Sequence, residues 1–260
     1  MTTKRLLGKT ALVTRPRDQA REIQEALEAQ GATVALQPAI EILPPDSWTD
    51  VDASLKLVAE RKINWTIFSS ANGVRFVCDR LDAAFPELKR SFAELTQIAA
   101  VGAATANALR LYGLEAALTP TQFDADGLVD AFVERLGSPS GLTFLSFRAN
   151  RGRKTLTERL TALGANVLET VAYRSVDVKT PDPAVLDALQ SGKIDVAIAS
   201  SSASARSLAE MFGDAANKTR WVAISPLTAD ALRQNGLAVA AIAAESSVEG
   251  LVEAVVQATE

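Results

Sequence analysis

The sequence predicts an α/β protein of two similar units, each a parallel sheet with helices on both faces. Three observations predict it. Short apolar runs of strand type alternate with helical patterns along the whole chain. The second half repeats the order of the first. The 260 residues, 48% of them hydrophobic, are long for one compact unit and comfortable for two of about 100–130 residues each.

The elements follow in order. TALVT (10–14) is short and apolar and reads as a strand. In residues 18–30, Ala20, Ile23, Ala26 and Leu27 share one helical face, and Gly31 stops the helix. TVALQ (33–37) is the next strand. WTIFSS (65–70) and QIAAV (97–101) are buried-type strands, each followed by a helical stretch. Strand–helix–strand grammar of this kind builds parallel sheets covered on both faces. VGAATANALRLYG (101–113) is a strand end, a tight turn and an amphipathic helix closed by glycine. TPTQFDADGLVDAF (119–132) is a loop, then an acidic helix entry near Gly127, with the acids suited to the helix dipole.

The second half follows the same plan. LTFLSF (142–147) matches TALVT, and Leu156, Leu160 and Leu163 match the first helix, with Gly164 on Gly31. DVAIASS (195–201) matches WTIFSS, with Ser201 on Ser70. ISPLTADALRQNG (224–236) matches residues 101–113, with Thr228 on Thr105. AAESSVEGLVEAVV (243–256) closes the repeat, with Gly250 on Gly127. Several pairs in one order point to an internal duplication. LQPAIEILPPD (36–46) and LETVAYRSVDVKTPDP (168–183) combine an extended run with Pro-rich sequence and are the candidate linkers.

Composition narrows the chemistry. The chain has 27 Lys and Arg against 31 Asp and Glu, a net charge of −4, so no overall basic surface for nucleic acid is expected. It has no histidine, which removes imidazole bases, Ser–His and Cys–His pairs and most zinc sites. Hydroxyls, carboxylates, Lys, Arg, amides and the substrate itself remain. Cys78 is the only cysteine, so no intrachain disulfide forms, as suits a reducing cytoplasm. MTTKRLLGKTALVTR does not read as a signal peptide. The longest apolar run, LAVAAIAA (237–244), is far short of the ~20 residues of a membrane span. A cytoplasmic protein, without membrane partners and monomeric, is expected. GKT (8–10) is not a P-loop: it precedes its strand, and Thr3 stands where the first glycine belongs. GKTALVT leads into RPRDQ, not a Gly-rich turn, which argues against a dinucleotide-binding opening. Receiver domains need acids clustered near the first strand, and none stands there.

Arg148, Arg151, Arg153 and Lys154 follow the strand LTFLSF, and Arg15 and Arg17 occupy the equivalent turn of the first half. Cations at the carboxyl ends of parallel strands lie where such sheets bind ligands. SSANG (69–73) and SSSAS (200–204) follow buried strands and supply hydroxyls and free helix amides at the same end.

Taken as an ordered set, VTRP with Gln19 and Ala20, GATVALQPAIEI, FSSANGV, VGAATANAL with a following YG, LETVAYRS and SPLTADALRQNG resemble the uroporphyrinogen-III synthases. The resemblance covers nearly the whole chain. It implies two flavodoxin-like α/β domains with an exchanged N-terminal βαβ unit. Residues 1–36 would join 177–260 in one domain, 46–168 would form the other, and 37–45 and 169–176 would be paired linker strands. The two threonine turns would then face each other across one cleft. The implied substrate is hydroxymethylbilane, a linear tetrapyrrole with eight carboxylates, cyclised with inversion of ring D and loss of water, without cofactor or metal. The bilane closes unaided to the type I isomer, so the protein's task is orientation, a source of up to ~7–11 kcal/mol in favourable cases. Tyr173 matches the family's tyrosine and is the implied proton donor to the departing hydroxyl, since a phenol keeps its proton near neutrality. Thr105, Thr228, Ser70, Ser201, Gly102, Arg15 and Arg148 are the implied substrate contacts. Ser225 stands where the family usually has glycine, and IASS lacks the aromatic residue often found before these serines. The competing expectations are a non-catalytic two-lobed binder of a small anion and an inactive synthase paralogue.

Overall fold

The computed structural model describes residues 4–260. The first half runs β1 (Thr10–Val13), α1 (Arg21–Ala29), β2 (Thr33–Leu36), β3 (Ile40–Leu43), α2 (Thr49–Ala59), β4 (Trp65–Phe68), α3 (Ala71–Ala84), α4 (Pro86–Leu95), β5 (Gln97–Ala100), α5 (Ala103–Leu111) and α6 (Ala125–Leu136). The second runs β6 (Thr143–Ala149), α7 (Thr155–Ala162), β7 (Asn166–Asp177), α8 (Pro183–Gln190), β8 (Val196–Ala199), α9 (Ser202–Phe212), β9 (Arg220–Ala223), α10 (Pro226–Gln234), β10 (Val239–Ile242) and α11 (Val248–Thr259). The expected helix from residue 18 begins later, at Arg21. Pro16 is extended, and a 3-10 turn at Arg17–Gln19 takes up the first residues. Gly31 and Gly164 adopt positive φ after their helices, the conformation that glycine enters without steric cost. Among the described residues no helix is long and apolar enough to cross a membrane.

The chain forms two compact units. One comprises the chain up to Glu41 together with Val176–Glu260; the other is Ile42–Ser175. The first carries the sheet β10-β9-β8-β1-β2, and the second carries β3-β7-β6-β4-β5. Numbered in chain order, the first sheet reads 2-1-3-4-5 from its β2 edge. This is an order of doubly wound sheets, whose ligands lie outside the strand carboxyl ends where the order reverses. That point falls between β1 and β8, which pair in parallel. In the second unit it falls between β6 and β4, also parallel. An isolated parallel bridge from Ala99 to Leu118 extends that sheet beyond β5.

Strand alternation builds the cores. In the first unit Leu12, Ala197, Ala199 and Trp221 enter one cluster, while Ala11, Val13, Val196, Ile198 and Val222 enter the other. In the second unit Trp65, Ile67 and Phe144 face α6 and α7, with Phe132 edge-on to both Trp65 and Phe144. Leu145 and Phe147 face α2, α3 and α4. Apolar runs buried on both faces are what parallel sheets require. Interior hydroxyls pair in the second unit: those of Ser54 and Thr170 lie 2.6 Å apart, and those of Thr66 and Thr96 3.1 Å apart.

Candidate active site

In the second unit, β4 delivers Ser69 and Ser70, and β6 delivers Arg148 and the loop after it. These residues border a cavity of about 210 Å³ at the strand carboxyl ends, lined by Ser70, Ser146, Arg148, Arg151, Arg153 and Tyr173 among others. A larger hollow of about 540 Å³ lies along α6, beside Thr119, Asp130 and Glu134. None of the expected site residues lines it, whereas Ser70, Arg148 and Tyr173 line the smaller cavity.

An irregularity in β7 sets which way Tyr173, one of the cavity-lining residues, points. Arg148 registers with Val171, but Ala149 registers with Tyr173, so β7 carries one extra residue. Before this bulge alternation is strict. Glu169 accepts a hydrogen bond from Thr157 of α7 on one face, and Thr170 meets Ser54 of α2 on the other. Continued alternation would put Tyr173 on the α7 side. The bulge turns it to the α3 side, a re-aiming such bulges commonly perform. There it is 7% exposed and stacks on Phe76 of α3, with centroids 5.9 Å apart and planes 8° apart. Its hydroxyl lies 2.9 Å from Ser70 Oγ. Ser70 is also the N-cap of α3 and accepts the Gly73 N–H at 3.1 Å.

Arg148 is held in place by its own unit. Its Nη1 donates to Glu169 at 2.9 Å and its Nε to the Ala149 carbonyl at 3.2 Å. Both charged side chains are mostly buried. Sequence reasoning did not single out Glu169, the partner that decides where this cation points. It also missed Phe76, whose place opposite Tyr173 depends on the bulge.

One strand further along, Gly102 and Thr105 begin α5. Gly102 has ordinary extended backbone, and a Cβ there would make a tight 3.2 Å contact with Phe123 Cβ. α5 starts without a side-chain cap, so the amides of its first turn stay open to an anion. Thr105 sits among them, buried. Val101, beside Gly102, lines the Tyr173 cavity.

The first unit places Arg15, Ser201 and Thr228 at the carboxyl edge of its own sheet. Arg15 Nε donates to Ser200 Oγ at 2.9 Å. Burial pushes its guanidinium below its ordinary pKa, with Glu22 opposing. Ser201 caps α9 by accepting the Ser204 N–H at 3.2 Å, and its own hydroxyl donates to Ser204 Oγ at 3.1 Å. The Thr228 turn differs from the Thr105 turn. Ser225 accepts the Thr228 N–H at 3.3 Å, its oxygen lies 3.2 Å from Thr228 Oγ1, and Pro226 brings no N–H. The start of α10 is satisfied from within, whereas the start of α5 is open.

Comparison with known proteins gives one family throughout. A family model described as "Uroporphyrinogen-III synthase HemD" matches residues 21–253. A uroporphyrinogen-III synthase from Synechococcus elongatus is 32% identical over 246 residues, covering 94% of this chain and 86% of that protein. One from Chlorobaculum parvum is 29% identical over 234 residues, covering 89% and 91%. Among solved structures, a mutant uroporphyrinogen III synthase from Thermus thermophilus superposes with a TM-score of 0.64 at 18% identity, covering 96% of this chain and 98% of that one. A uroporphyrinogen-III synthetase from Helicobacter pylori gives 0.63 at 17%, covering 94% and 97%. These structural likenesses establish the shared α/β fold. With a model match over most of its length and a 32% identical relative covered almost end to end, the chain belongs to the uroporphyrinogen-III synthase family.

Proposed function

We propose that this chain is a uroporphyrinogen-III synthase that closes hydroxymethylbilane with inversion of ring D and loss of water. The observation that carries the reading is the Tyr173 phenol, held on Ser70 beside an arginine-lined cavity where the sheet order reverses. The phenol protonates the terminal hydroxyl of the bilane. The carbon–oxygen bond breaks, water leaves, and the adjoining pyrrole nitrogen lends its electron pair to the methylene as an azafulvene cation. The substituted carbon of ring D attacks that methylene and passes through a spirocyclic intermediate before the final closure. One proton is released over these later steps and returns to the phenolate, so the cycle balances.

The remaining expected residues orient the substrate. The open amides of α5 with Thr105 and Gly102 receive carboxylate, and Arg15 offers a half-buried cation at the carboxyl edge of the first unit's sheet. Arg148, Ser201 and Thr228 are more committed internally and act through placement of their loops. The bilane closes to type I by itself, so a few well-placed grips that favour the inverted geometry are sufficient.

The domain reading goes with this proposal. Residues 1–36 with 177–260 form one domain, 46–168 the other, and 37–45 with 169–176 the linker; residues 1–3 lie outside the described residues. The sheet orders support an exchange. β1-α1-β2 stands beside β8, while β6-α7-β7 takes the matching place beside β4. The lone cysteine and the slight negative charge suit a cytoplasmic monomer.

The test is direct. Hydroxymethylbilane is generated in situ, the purified protein is added, and the oxidised products are separated by isomer. Type III is expected to dominate. Type I alone at every protein concentration would overturn the proposal and leave the anion binder or the inactive paralogue.

A further inference from the structure

The two units begin their matching helices α3 and α9 with the same device and complete it differently. Ser70 and Ser201 each cap the helix by accepting a backbone N–H from three residues on. In the first unit that residue is Ser204, whose hydroxyl receives the Ser201 proton at 3.1 Å and itself donates to the Ser201 carbonyl at 2.7 Å. The Ser201 hydroxyl is thereby consumed within its own turn. In the second unit the residue is Gly73, which has no side chain to compete. Ser70 Oγ faces the Tyr173 hydroxyl at 2.9 Å instead.

We infer that Ser70 is a positioning residue for Tyr173, and that glycine at position 73 is what leaves Ser70 free for that role. This rests on the proposed synthase reading. A phenol that donates its proton to Ser70 has none to offer a leaving group. The 2.9 Å contact admits either hydroxyl as donor, and the positioning role is the arrangement in which Ser70 donates to the tyrosine oxygen. The phenol proton then points into the cavity. Each donor in the chain Gly73, Ser70, Tyr173 polarises the next, and Ser70 remains to donate to the phenolate that forms when the proton has left. The stack on Phe76 sets the plane of the ring, so the serine has to set only the hydroxyl.

Position 73 makes the idea testable without removing the cap. A Cβ added to Gly73 would lie 3.5 Å from Ser70 Oγ and 3.9 Å from Tyr173 Cε1, ordinary contacts with no clash. Gly73→Ser therefore recreates the first unit's arrangement in the second and diverts the Ser70 hydroxyl, while Gly73→Ala adds the same bulk without a hydroxyl. The assay is steady-state formation of the type III isomer. Ser70→Ala is expected to lower kcat about tenfold with KM within about twofold, and Ser70→Thr to restore most of it. Gly73→Ser should fall about fivefold below Gly73→Ala. In a Tyr173→Phe background Ser70→Ala should change the residual rate by less than about twofold, because its effect runs through the phenol.

Equal effects in both backgrounds, effects confined to KM, or indistinguishable Gly73→Ser and Gly73→Ala would overturn the inference while the wild-type product left the synthase reading intact. A wild-type protein yielding only type I would overturn that reading first. Should Ser70→Ala fail to fold, the two Gly73 variants decide the matter.

Discussion

Replacing Tyr173 with phenylalanine separates chemistry from stability in one side chain. The substitution removes a single hydroxyl from a ring that stays buried and stacked on Phe76. Ser70 keeps its second partner, the Gly73 N–H, and lines the cavity, so no isolated buried group is created. The stability loss should therefore lie at or below the ordinary value for one net hydrogen bond, about 0.5–1.5 kcal/mol. A general acid contributes far more to rate, typically about 10²–10⁴-fold. At the lower end, the barrier rises by about 2.7 kcal/mol. Urea titration of wild type and Tyr173→Phe gives the first quantity, and isomer-resolved kinetics at saturating bilane the second. A kcat within twofold of wild type, at unchanged stability, would refute the proton-donor role. A rate loss matched by an equal loss of folded protein would refute the separation itself.

Further measurements address the scaffold. Gly127→Ala and Gly250→Ala should each destabilise by about 1–3 kcal/mol in denaturant melts, because the added methyl overlaps the carbonyl oxygen of Gln122 or Glu245 and outweighs the gain of about 1 kcal/mol in helix propensity. The Arg80 hydrogen bond, with a smaller charge contribution, holds the Asp52 carboxyl below the ordinary carboxylate range. A depressed pKa stabilises above the unfolded value and is lost as pH falls through the folded one. The stability gap between wild type and Asp52→Asn should thus be full at neutrality and shrink in acid; a gap independent of pH would contradict the assignment. Burial pushes the Cys78 thiol up to about 12, so a thiol reagent at neutral pH should label it only as fast as the protein opens. Labelling of the native protein at the rate of an exposed thiol would contradict that burial.

Much of the fold was legible in the chain because buried parallel strands leave a strong mark. TALVT, WTIFSS, QIAAV, LTFLSF and DVAIASS all read as apolar runs, and all lie within one or two residues of β1, β4, β5, β6 and β8. Their cores need apolar side chains on both faces, and no other pattern satisfies both. The glycine stops were legible for a backbone reason: positions 31 and 164 require positive φ. The candidate site residues stand at strand carboxyl ends as residue types readable from the sequence. Their partners are not. Arg148 and Glu169 are far apart in sequence, and they meet because β6 and β7 are neighbours in the sheet.

The repeat also concealed a difference. The Thr105 and Thr228 turns look alike in sequence, yet one helix start is open and the other is filled by Ser225 and Pro226. The sequence by itself determined the α/β class, the ordered repeat of its segments and the lack of any imidazole, since these depend on periodicity and composition. Only the tertiary structure decided which way Tyr173 points. That direction depends on one extra residue in β7, and a bulge exists only relative to the neighbouring strand from which it departs.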